Sequence, residues 1–150
     1  MLRIAPLLPG DNLHAARILD VQDPQRMARF EFAADPRYVR IARAVARRDP
    51  LITHLGDSDQ ANVTLILSEL VSNAVEASAP GSTVSVNIAR EGPALVISVT
   101  NQGQGHLIDG NVAMPAESVV RGRGLALVSM LSRDLTVSEH NGCTTVKASI

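Results

Sequence analysis

Aromatic side chains are almost missing from this chain: Phe30, Phe32 and Tyr38 are the only ones, and there is no tryptophan. A core must therefore be aliphatic and alanine-rich, and 45% hydrophobic content over 150 residues is enough for one ordinary globular domain. Cysteine is as scarce. Cys143 stands alone, which excludes an intrachain disulfide framework and fits a reducing compartment. No apolar run approaches the roughly 20 residues of a membrane span. The N-terminus carries Arg3 but no long apolar segment with a cleavage signal. Neither sign of charge dominates: 14 basic and 15 acidic residues leave a net charge of -1, which argues against a general affinity for nucleic acid or an anionic membrane. The expectation is a cytoplasmic protein.

What the chain does have is one long periodic stretch, Asp57 to Ala79. Val63, Ile66, Leu67, Leu70, Val71, Ala74 and Ala77 recur at three- and four-residue steps, the period of one helical face. Asn62, Glu69, Asn73 and Glu76, spaced by seven, four and three, form a second, polar stripe. A carboxylate followed one turn later by a carboxamide suits a solvated surface. It also suits a site that holds a metal ion and activates a hydroxyl.

The remaining elements follow from alternation and punctuation. Residues 1–26 read as an N-terminal extension, with a turn at Pro9-Gly10-Asp11-Asn12 and a short helix over Leu13 to Leu19. The domain proper is expected over 27–150. Met27 to Ala33 alternates as a strand; Asp35 caps the next helix, with Pro36 at its first position, and that helix runs to Arg48. Arg40, Arg43 and Arg47 line one face of it, either a solvated face or a docking surface for an acidic partner. Leu51 to Gly56 reads as a connection, and Asp57 or Ser58 as the cap of the long helix. Strands over Thr83 to Arg90 and Ala94 to Thr100 flank Glu91-Gly92-Pro93, a hairpin-like connection. Residues 106–121 lack periodicity, a length that signals a functional lid. A helix over Leu125 to Ser132 and strands over Leu135 to Glu139 and Thr144 to Ser149 close the chain; Asn141-Gly142 is a strong hairpin turn between the strands. Hairpins with helices in separate blocks predict an α+β fold, a two-layer sandwich in which a mixed, mostly antiparallel sheet is covered on one face by helices.

Two glycine pairs add chemistry. Gly103 and Gly105 follow a strand, where a missing side chain lets backbone approach a flat ligand. Gly122-Arg123-Gly124 opens a helix, whose free N–H groups and positive dipole end suit phosphate. His54, His106 and His140 lack metal-ligand spacing with each other or with Cys143, which argues against zinc.

The order of these pieces resembles the GHKL ATP-binding fold and, within it, the anti-sigma-factor serine/threonine kinases of bacterial partner-switching systems. Glu69-Leu70-Val71-Ser72-Asn73-Ala74 resembles the family's N box, Gly103 and Gly105 its first glycine box, and Gly122-Arg123-Gly124-Leu125 its second. Gly142 with Thr144-Thr145-Val146 resembles its last strand. The resemblance covers about residues 27–150. It implies an ATP- and Mg²⁺-dependent kinase that sequesters a sigma factor and phosphorylates a STAS-type antagonist, with a homodimer among its assemblies. Asn73 would carry the Mg²⁺, and Glu69 would be the catalytic base. Asn101, Gly103, Gly105, Gly122, Arg123, Gly124, Leu125 and Thr144 would contact the nucleotide along with Asn73. The family's first box begins with Asp where this chain has Asn101. An amide oxygen still accepts a hydrogen bond from an adenine amino group, but without charge assistance, so weaker or altered nucleotide binding is implied. The alternative is a non-catalytic module of the same fold that acts by docking.

Overall fold

The structure, a computed structural model, describes residues 16–20, 27–103 and 123–150. The expected lid, Gly105 and Gly122 lie outside the described residues, as do residues 1–15. The elements run β1 (Ala16–Asp20), β2 (Met27–Ala33), α1 (Arg37–Ala46), α2 (Pro50–Thr53), α3 (Asp57–Ala77), β3 (Thr83–Glu91), β4 (Ala94–Gln102), α4 (Arg123–Leu131), β5 (Asp134–His140) and β6 (Cys143–Ser149).

One six-stranded sheet, in the order β1-β2-β3-β4-β6-β5, carries the fold. Alternation decides which side of it is covered. Phe30 and Phe32 on β2, Val84, Val86 and Ile88 on β3, and Ile97 and Val99 on β4 are all buried. The register sets them in rows: Phe30 opposite Val86, which lies opposite Val99, which lies opposite Val146. The helices lie on this face, giving the two-layer α+β sandwich that the sequence predicts. All five pairings are antiparallel, so the described sheet is not mixed as expected. The physical reason is that β4 and β6 meet as neighbours running in opposite senses, although α4 and β5 separate them in sequence.

α3 crosses the middle of the sheet and packs on β3 and β4, with α1 and α4 beside it. Its side chains Val63, Ile66, Leu67, Leu70, Val71 and Ala74 are buried, as the periodicity requires. Burial of this face, at about 25 cal/mol per Å² of apolar area, is what stabilises a helix on a sheet. Thr64 joins the buried set because its hydroxyl donates to the Gln60 carbonyl one turn back, 2.7 Å away, and so enters the core satisfied.

Several boundaries differ from expectation for identifiable reasons. Ala16–Asp20 is a strand, not part of a helix; it pairs with the edge of β2 in a ladder with an irregularity between Ile18 and Asp20. A helix that short is marginal on its own, whereas a strand at an open edge gains ladder hydrogen bonds at once. The expected connection after Pro50 contains α2, which buries Leu51 and Ile52. Asp49 caps it by accepting the Leu51 N–H at 2.9 Å, with Pro50 at the first helical position. Burial pushes the Asp49 carboxyl up from its ordinary pKa, and the Leu51 N–H pulls against that. The cap position of α3 falls on Gly56, not on Asp57 or Ser58. Asp57 and Asp59 lie in the first turn instead, where negative charge suits the helix dipole. α1 stops at Ala46 and not at Arg48, and β4 continues through Asn101 to Gln102. At the β5–β6 hairpin Asn141 and Gly142 both have positive φ, 51° and 74°, as the favoured two-residue turn demands. Among the described residues no helix is long and apolar enough to cross a membrane.

Asp35 works one residue outside its expected place: Pro36 flanks α1, and Asp35 accepts the Arg37 backbone N–H at 2.9 Å. Its carboxylate also takes the Arg37 guanidinium, with Nη2 2.7 Å from Oδ2. That side-chain hydrogen bond, more than the backbone one, lowers the Asp35 pKa from 3.8 to about 2. A carboxyl depressed in the folded state favours folding above its unfolded pKa, and that contribution fades as pH falls through the folded value. Carboxyl NMR titration should place Asp35 near 2 in the native protein and, in Arg37→Ala, return it most of the way to 3.8. An unmoved midpoint would show that Arg37 is not the cause.

Candidate functional site

The polar stripe of α3 lies beside its buried face. Glu69 and Asn73 are half-buried, as is Asn62, while Glu76 is exposed. Four residues apart, Glu69 and Asn73 are turned by only about 40° around the helix and displaced by about 6 Å along it. Both face the first turn of α4. A Cβ built on Gly124 would fall on the Glu69 Oε2 atom, with Glu69 Cδ at 3.3 Å and Asn73 Nδ2 at 3.7 Å. The N-box pair and the second glycine box, more than 50 residues apart in sequence, therefore meet at one point, and glycine at 124 leaves the Glu69 carboxylate its space. Among the described residues Asn73 Nδ2 is buried without a hydrogen-bond partner, an arrangement natural structures seldom leave unexplained.

The other end of the site is built where α3 stops. Gly103 lies so close to the helix end that an added Cβ would strike the Ala77 carbonyl oxygen, with Ala77 C at 3.2 Å. Three backbone and side-chain bonds hold this corner. Ala79 N–H donates to the Gln102 carbonyl at 2.8 Å, and Gly103 N–H to the Gly142 carbonyl at 3.0 Å. The Thr144 hydroxyl donates to the Gly103 carbonyl at 3.1 Å. Thr144 is thus committed to fixing the turn after β4. Asn101, opposite Thr144 in the register, points to the helix side and is 3% exposed. Its Nδ2 is buried and, among the described residues, unpartnered, 3.3 Å from where a Gly103 Cβ would stand.

Of the residues singled out in the sequence, Glu69, Asn73 and Gly124 come together, and Asn101, Gly103 and Thr144 form a second group one to two turns of α3 away. Leu125 is half-buried in α4 and packs against the core. Arg123 begins α4. Gly105 and Gly122 lie outside the described residues. The sequence reading missed the Ala77 carbonyl, which walls in Gly103. The available signal was the small-residue end of a helix followed by a strand that ends in glycine.

A family model for the histidine kinase-like ATPase domain matches residues 32–150, and the chain belongs to that family. Among solved structures it is similar to the RsbU and RsbW domains of Rv1364c from Mycobacterium tuberculosis. The two are 23% identical with a TM-score of 0.56, over 81% of this chain and 31% of that one. The chain therefore spans about a third of that structure's length, and the likeness is one of fold. A search of the curated proteins found no match.

The two glycines should respond differently to alanine. At Gly103 the obstacle is backbone, so Gly103→Ala should cost about 1–3 kcal/mol in urea unfolding, as overpacking does. At Gly124 the obstacle is the far end of a flexible side chain, and alanine favours the helix by up to about 1 kcal/mol. Gly124→Ala should therefore stay within about 1 kcal/mol of the parent while displacing Glu69. Equal losses at both positions would refute the distinction.

Proposed function

We propose that this domain is an ATP-binding anti-sigma factor and serine/threonine kinase acting on a STAS-type antagonist. The reading rests on family membership and on one observation above all: Glu69 and Asn73 converge on the start of α4 at Gly124. Phosphoryl transfer asks a protein mainly for positioning, charge neutralisation and a base. In this reading a partner's Ser or Thr hydroxyl oxygen attacks the γ-phosphorus, the bond to the bridging oxygen breaks, and ADP leaves. Glu69 takes the hydroxyl proton. The α4 start directs its free backbone N–H groups and positive dipole end at the phosphates. The base lies at the Asn101–Gly103 corner, about 12 Å along α3 from Glu69 if measured from Ala77.

Magnesium fits the donors present. Asn73 is half-buried beside Gly124, its Nδ2 without a partner among the described residues, and an amide oxygen is the hard donor this ion prefers. Among the described residues no group of three or more His, Cys, Asp or Glu is arranged to hold a metal, so an ion here would draw most of its ligands from phosphate and water. Bound there, Mg²⁺ would neutralise phosphate charge as it develops.

Calorimetry should detect Mg²⁺-dependent nucleotide binding that Asn73→Ala weakens at least about tenfold, a loss of about 1.4 kcal/mol. Glu69→Ala should leave binding within a few-fold and reduce transfer to the antagonist by about 10²–10⁴, the usual share of general-base catalysis. No heat at millimolar nucleotide would sink the enzymatic reading.

A second reading, docking without catalysis, is favoured by the amide at Asn101 and by the outer face of α1. Arg40, Arg43 and Arg47 are all exposed there, and no ion pair engages them among the described residues. Three guanidinium groups along one face suit an acidic partner and should steer its approach. Arg43→Glu should slow association with the cognate sigma factor at least about tenfold at low salt, with the difference shrinking at high salt. Rates indifferent to the substitution would remove α1 as the docking face.

A further inference from the structure

Asn101 is the buried polar residue whose surroundings the proposed reaction does not explain. It continues the helix-facing row of β4 after Leu95, Ile97 and Val99, yet it is polar and 3% exposed. Its Nδ2 donor is buried with no partner among the described residues. The Gly103 carbonyl takes the Thr144 hydroxyl, the Gly142 carbonyl takes Gly103 N–H, and the Gln102 carbonyl takes Ala79 N–H; among the described residues no carbonyl at this corner, that of Ala77 included, accepts from Asn101 Nδ2. The corner is held rigid by those same bonds, and Ala77 blocks any side chain at 103. A donor left bare in a fixed, glycine-walled corner is satisfied when a ligand brings an acceptor.

We propose that Asn101 makes this site accept a purine nucleotide with a carbonyl at the 6-position, guanine or hypoxanthine, at least as well as the 6-amino purine adenine. This rests on the reading that the site binds a nucleotide. The chemistry is that of the base edge. A 6-oxo purine presents an acceptor at O6 beside a donor at N1–H; the amide answers with Nδ2–H and Oδ1 together. A 6-amino purine presents the reverse pattern and needs the amide turned by half a revolution. A carboxylate at this position has acceptors only, so it rewards the amino group and repels O6. Loss of one such match leaves a buried group unpaired, which is why hydrogen-bonding sites discriminate more sharply than apolar ones.

The test is competitive Mg²⁺-dependent titration of the whole chain with ADP, GDP and IDP. IDP carries the 6-oxo group without the 2-amino group of guanine, so it isolates the 6-position from crowding elsewhere. The expected result is that IDP binds at least as tightly as ADP, and that Asn101→Asp shifts the IDP-to-ADP affinity ratio at least about tenfold toward ADP. If the buried carboxylate prevents folding, the parent's ratio decides alone. A parent that prefers ADP over both IDP and GDP by tenfold or more overturns the proposal, as does a ratio that Asn101→Asp leaves unchanged. Binding of none of the three nucleotides overturns the nucleotide reading itself, and the inference falls with it.

Discussion

Everything at the site depends on the burial of one face of α3. Val63, Ile66, Leu67, Leu70, Val71 and Ala74 are inaccessible to water against the sheet and its flanking helices, and this fixes the rotation of the helix about its own axis. A helix has no freedom to bury one stripe and aim its neighbour elsewhere: side chains 100° apart per residue are rigidly phased. Once Leu70 and Ala74 enter the core, Glu69 and Asn73, each one residue earlier, must face the side on which α4 packs. The catalytic geometry proposed for the pair is thus a by-product of apolar packing. It is held by many weak contacts and, among the described residues, not by any hydrogen bond to the two side chains themselves.

The sheet supplies the complementary constraint. β4 ends under the C-terminal end of α3, where the Ala79–Gln102 bond ties helix exit to strand end. The β5–β6 turn then clamps Gly103 from the other side through Gly142. The Asn101–Gly103 corner is therefore fixed by three separate parts of the chain, whereas the Glu69–Gly124 corner is fixed by two helices. Gly103 and Gly124 occupy the two closest approaches, and at each the missing side chain leaves room for a different kind of neighbour: backbone at the first, a carboxylate at the second.

Much of this was legible in the sequence, and the reasons are particular. β2 was read to the residue because Phe30 and Phe32 alternate and Asp35-Pro36 punctuates its end. The β5–β6 turn was legible because Asn-Gly tolerates positive φ at both positions. The buried face of α3 followed from its period. What escaped depended on partners far away in sequence. Ala16–Asp20 has no strand pattern of its own and acquires one from the edge of β2. Leu51 and Ile52 look like connector residues until α2 folds them into the core. Asn101 falls just past the strand read as Ala94 to Thr100, yet it lies inside β4. The Glu69–Gly124 approach was legible only as a resemblance between boxes, since no local pattern links them.

The two ends of the site also differ in what they cost the ligand-free protein. A carboxylate held at the Asn101 position without a partner would be penalised far more by burial than an amide, because desolvating a charge costs more than desolvating a dipole. A domain with Asp there would gain more from its ligand and suffer more from losing it. With nucleotide bound as proposed, Asn101 would narrow that difference, and the free and bound forms would lie closer in stability. Under the partner exchange proposed above, a fold that stands without nucleotide would keep its docking surfaces intact whether or not the site is filled. In that reading the amide at 101 would bear on which form meets a partner as well as on which base is bound.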